Sequence, residues 1–113
     1  MLLTSEQRQT LYILGYLYIR MGLNDSAERL FKTILSLFPE DKWSHRSLAV
    51  IAMRKGDSIS CLTHIYKAVS GEQSITKHAP LLLLQAQALW SLGRYSESRT
   101  SIQNYIKIRG SRT

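Results

Sequence analysis

With 113 residues, 44% apolar content and a formal net charge of +7, the chain is long enough for one single-core domain and too short for two. Met1 to Thr10 lacks the charged and apolar regions of a leader, and the longest apolar run, Ala79 to Leu84, falls far short of a membrane span. A lone cysteine, Cys61, rules out an intrachain disulfide, so reducing cytosol is the expected compartment, with neither general export nor membrane insertion.

Taken in chain order, the local signals predict six helices. Thr4 with Gln7 reads as a capping box opening a helix from about Ser5 to Met21. Asn24 or Asp25 is expected to cap the second, with Glu28 in its first turn and Pro39 just past its end. The same logic gives helices near Lys42 to Lys55, Ser58 to Val69, Pro80 to Leu92 and Ser96 to Arg109. Pro80 suits a first-turn position, where its missing N–H costs nothing. Ser70 to His78 is the only long connection, and no domain boundary is read there.

Self-similarity organises these helices. Gly22, Gly56 and Gly93 stand 34 and 37 residues apart, each closing an apolar helical pattern and preceding a polar helix start. Seven residues before each stands a small residue (Gly15, Ala49, Ala86), and five after stands another (Ala27, Cys61, Ser98). Four before come Tyr18, Ala52 and Leu89, and nine after come Phe31, Ile65 and Ile102. These positions are read as the knobs and holes of one helical hairpin, and a period near 34 points to the tetratricopeptide type. Leu14-Gly15, Tyr18, Ala27, Phe31 and Pro39 make the first unit the best match; the others lack the proline, and a three-residue insertion falls within Val69 to Ala79. The expectation is an all-α chain forming a single domain over 1–113, with hairpins at about 5–39, 42–70 and 79–109 stacked into a short right-handed solenoid.

The first helix of each hairpin carries a second stripe that the repeat does not need. It reads Gln9, Tyr12, Tyr16, Ile19 and Arg20, then Trp43, Arg46, Val50, Met53 and Arg54, then Leu83, Gln87 and Trp90. In a solenoid this stripe faces the concave surface, and its large aromatics, aliphatics and arginines have the composition of a binding hot spot. The competing reading is that these side chains fill the inside of a tightly curled superhelix. Terminal repeats need a polar outer face, yet the sixth helix carries Ile102, Tyr105, Ile106 and Ile108. A second copy or a bound partner is expected to cover it, and without a partner the chain is expected to self-associate.

Other chemistry leaves little trace. The late basic excess (Lys67, Lys77, Arg94, Arg99, Lys107, Arg109 and Arg112 against Glu72 and Glu97) is scattered around helices, so solvated faces are favoured over nucleic-acid binding. His45, His64 and His78 share no metal-ligand spacing, and no phosphate loop or nucleophile elbow is present. No catalytic residue, cofactor or metal is expected, and Cys61 reads as a small core residue.

Leu3-Thr4-Ser5-Glu6-Gln7-Arg8-Gln9, Leu14-Gly15-Tyr16-Leu17, Met21-Gly22, Phe38-Pro39-Glu40 and the short tail after Tyr105 resemble the Y-type chaperones of bacterial type III secretion (the YscY/SctY family). The resemblance covers nearly the whole chain and departs from the pattern at Ile75 to His78. It implies a chaperone of the bacterial cytoplasm that forms a heterodimer with a secreted X-type protein. It also implies delivery to the export gate, at the periphery of the inner-membrane export apparatus. Chaperones of a needle subunit or translocator, and general tetratricopeptide peptide-binding adaptors, are the competing classes.

Overall fold

The computed structural model describes residues 4–69 and 78–110. Among them six helices follow one another: α1 (Ser5–Arg20), α2 (Asn24–Leu37), α3 (Lys42–Arg54), α4 (Ser58–Ala68), α5 (Ala79–Ser91) and α6 (Tyr95–Gly110). Their limits fall within one or two residues of those predicted. Most of the predicted long connection, with the insertion read into it, lies outside the described residues.

Helix starts follow from side chains that accept otherwise orphaned N–H groups. At α1 the capping box is complete: Gln7 N–H donates to Thr4 Oγ1 at 3.1 Å, and Thr4 N–H donates to Gln7 Oε1 at 2.9 Å. Asp41 accepts from Ser44 N–H at 2.9 Å at the start of α3, and Asp57 accepts from Ser60 N–H at 3.1 Å at the start of α4. The second helix departs from expectation, because its N-cap is Leu23 and no side chain caps it. Asn24 and Asp25 already lie inside the helix, and the Asp25 carboxylate turns outward to Lys55 Nζ at 2.6 Å.

All three hairpins turn in the same way. Gly22, Gly56 and Gly93 have φ of 78°, 79° and 78°, a region that a side chain strains to enter. In each turn the following residue donates back across the glycine: Leu23 N–H to Tyr18 C=O at 2.8 Å, Asp57 N–H to Ala52 C=O at 2.8 Å, and Arg94 N–H to Leu89 C=O at 2.9 Å. This closes the helix ends in Schellman fashion and sets the second helix back along the first.

Within the first hairpin Gly15 is needed for a different reason. A Cβ there would stand 2.4 Å from Phe31 Cζ, so the α1 backbone rests directly on a ring that is 1% exposed. The equivalent positions pair Ala49 with Ile65 and Ala86 with Ile102, a larger first-helix residue facing a smaller knob. Close packing couples the two volumes.

The position of Ile51 serves both junctions between hairpins, as Ala88 in the second. Leu48 and Ile51 of α3 complete a buried cluster with Ala27, Phe31 and Ile34 of α2. One period later, Ala88 of α5 packs with Cys61, Ile65 and Ala68 of α4. Cys61 is fully buried, and burial pushes its thiol up to about 11, which makes it a core residue and a poor nucleophile. In the third hairpin Ser98 takes the corresponding place and donates to the Ala86 carbonyl at 2.7 Å, while Ser101 donates to Gln85 Oε1 at 2.8 Å.

One residue of the repeat match does not pack inside the molecule. Leu14 is 38% exposed, whereas its equivalent Leu48 is 3% exposed. The position packs onto a preceding hairpin, and among the described residues no helix lies on that side of α1.

Candidate partner-binding groove

The first helices of the hairpins lie side by side, α1 against α3 and α3 against α5, which assembles the second stripe into a surface. Part of it is a groove of about 480 Å³ lined by Gln9, Tyr12, Ile13, Tyr16, Ile19, Phe31, Trp43 and Ser47. Phe31 forms the floor and the side chains of α1 and α3 form the walls.

Trp43 is the shared wall. It lines this groove, a cleft of about 530 Å³ with Arg8, Phe38 and Asp41, and a hollow of about 120 Å³ with Arg46, His78 and Leu81. Its side chain is 58% exposed, so a large apolar surface stands in water between three adjoining depressions. The Arg46 guanidinium lies 5.5 Å from its ring centroid, a cation–π contact that orients the indole. Tyr16, 56% exposed, receives the Arg20 guanidinium in the same manner, with Arg20 Nη1 3.3 Å from the hydroxyl.

Other members of the stripe serve the fold as well. The Tyr12 hydroxyl donates to Asp41, the N-cap of α3, and the Tyr12 and Trp43 ring centroids are 6.2 Å apart. Burial, then the bond to Asp41, pushes the Tyr12 hydroxyl up to about 12, so it remains a donor throughout the neutral range. Tyr12 and Ile19 also pack against the buried cluster of the first hairpin, and Met53 against that of the second. Arg54 donates to the Ile19 carbonyl at 2.7 Å, satisfying a C-terminal acceptor of α1. Val50 is half-buried.

On the third hairpin Leu83, Gln87 and Trp90 share a separate depression of about 340 Å³ with Ala86, Ser98 and Ile102. Trp90 is 60% exposed and packs edge-on against Tyr95 with centroids 4.5 Å apart. The stripe is therefore two patches, one around Trp43 and one around Trp90.

Sequence spacing gave no hint of one further constellation. His45 and His64, on facing helices of the second hairpin, bring their Nδ1 atoms to 3.1 Å. His45 Nε2 lies 3.3 Å from the Pro39 carbonyl, which can only accept, so His45 Nδ1 accepts from His64 Nδ1–H. Burial, then His45, holds His64 below the ordinary histidine value, with Lys67 and Lys32 acting in the same sense and Glu28 against it. Among the described residues no group of three or more His, Cys, Asp or Glu could hold a metal ion, and no helix is long and apolar enough to cross a membrane.

No curated protein matches the chain. The tetratricopeptide repeat profile matches residues 9–41 and 79–111, the first and third hairpins. These matches cover more than half of the sequence and end on the hairpins built around Gly22 and Gly93, so the chain belongs to the tetratricopeptide repeat family.

Proposed function

We propose that the chain is a type III secretion chaperone of the bacterial cytoplasm. In this reading it holds a cognate X-type secreted protein as a heterodimer and presents it to the export gate, without catalysis of its own. Membership of the repeat family supports the coarser part, a protein-binding adaptor. The observation that carries the reading is Trp43, 58% exposed at the junction of three depressions. Exposed indoles beside apolar grooves are typical anchors for a partner's side chains. The resemblance of the opening residues to Y-type chaperones supports the finer part.

Co-expression tests it. The X-type protein of the same organism is expected to co-purify as a stoichiometric heterodimer and to be degraded when the chaperone is absent. Selective stabilisation of a needle subunit or translocator would move the protein to those chaperone classes. Binding of none of these would leave a general adaptor.

A further inference from the structure

Among the described residues the junction between hairpins recurs at both ends of the array as two exposed halves. In the first junction Leu48 and Ile51 of α3 sit on Phe31 and Ile34 of α2. One period earlier, Leu14 and Leu17 of α1 stand at the same register as Leu48 and Ile51, and they are 38% and 48% exposed. Two periods later, Ile102 and Tyr105 of α6 stand at the register of Phe31 and Ile34; Ile102 is 40% exposed and Tyr105 is half-buried. One end of the molecule therefore carries the knobs of a junction, and the other end carries the surface that receives them.

We infer that a second copy of this chain docks head to tail, with Leu14 and Leu17 of one molecule on Ile102 and Tyr105 of the next, continuing the solenoid across molecules. The occupant follows from the repeat itself: α3 on α2 and α5 on α4 show what fills this junction, and the chain's own α1 presents that face. Charge agrees in this register. Glu6, in the first turn of α1, is carried toward the end of α6 that bears Lys107 and Arg109. A head-to-tail contact does not close, so it yields a concentration-dependent series of oligomers. The inference rests on the repeat register and uses neither Tyr16 nor Trp43, so it and the proposed chaperone role stand or fall separately.

Sedimentation of the full chain with two variants tests it. Leu17→Glu spoils the head and Ile102→Glu spoils the tail; both positions are exposed in the monomer, and circular dichroism checks that each variant folds. Wild type is expected to form a concentration-dependent series, and each variant alone to be monomeric, with self-association weakened roughly a hundredfold or more. Mixed in equal amounts, the variants retain one good head and one good tail and are expected to form a dimer that grows no further. A wild type that stays monomeric, a single variant that still assembles, or a mixture that stays monomeric would each overturn the inference.

Discussion

The Tyr12 hydroxyl donates to the Asp41 carboxylate, which also accepts from Ser44 N–H at 2.9 Å and Ser44 Oγ at 2.6 Å. One carboxylate thus starts α3 and fastens it to α1, with Arg8 Nη1 3.9 Å from the same oxygen that Tyr12 bonds. The first wall of the groove is tied to the second through a side chain that also lines it.

Tyr12→Phe is therefore expected to cost about 1 kcal/mol, the net worth of one part-buried hydrogen bond, while leaving the groove's apolar lining in place. The tyrosine also contributes a pH dependence. Its hydroxyl titrates at about 12 in the folded chain against 10.0 ordinarily, so between these values the unfolded chain loses the proton first and stability falls as pH rises. Alkaline melts of wild type and Tyr12→Phe check this, and the variant should lose less.

Acid acts through the other titrating contact. Because His64 is held below its ordinary value of 6.5, acidification protonates the unfolded chain before the folded one, and stability falls as pH drops through and below that value. His64→Gln keeps an N–H for His45 Nδ1 and removes the titrating group. Its melting temperature should fall less than that of wild type between about pH 7 and about pH 5.

Gly15→Ala pits two effects against each other. Alanine favours the helix by roughly 1 kcal/mol, but its Cβ would stand 2.4 Å from a ring atom of buried Phe31, and overpacking of that kind costs about 1 to 3 kcal/mol. Net destabilisation is expected. The double variant with Phe31→Leu should recover part of the loss in denaturant melts, because the other two hairpins already pair alanine with a smaller knob.

Leu14 and Phe31, which the repeat groups together, should separate by experiment. Phe31→Ala empties the floor of the first hairpin and is expected to cost about 3 to 5 kcal/mol. Leu14→Ala, at a position 38% exposed, should cost well under 1 kcal/mol in the monomer. Equal losses in chemical denaturation would mean that the outer face of α1 is covered.

The helices and their order were legible because three glycine turns and their flanking small residues repeat at a nearly constant interval. Gly15 and Phe31 could be paired on that evidence alone. Leu14 misled, since the repeat records what a position does inside an array and is silent on what covers it at an end. Asn24 and Asp25 misled because capping residues are also tolerated in a first turn, and the backbone turn at Gly22 already fixes where α2 begins. The stripe around Trp43 was readable from helical spacing. Its division into two patches was not, because that depends on how Tyr12, Ile19 and Met53 lean into the core. The His45–His64 contact joins residues 19 apart on different helices, a relation that only the α3–α4 packing creates.

In the proposed role the exposed aromatics of the first two hairpins serve a partner and not the fold. The most direct measurement compares thermal melting and affinity for the X-type protein in wild type and in the Tyr16→Ala, Trp43→Ala double variant. Side chains 56% and 58% exposed contribute little to the core, so melting should change little. At about 2 kcal/mol per anchor, affinity should fall on the order of a thousandfold. A double variant that unfolds as readily as Phe31→Ala, or that binds the X-type protein as tightly as wild type does, would rule out that role for Tyr16 and Trp43.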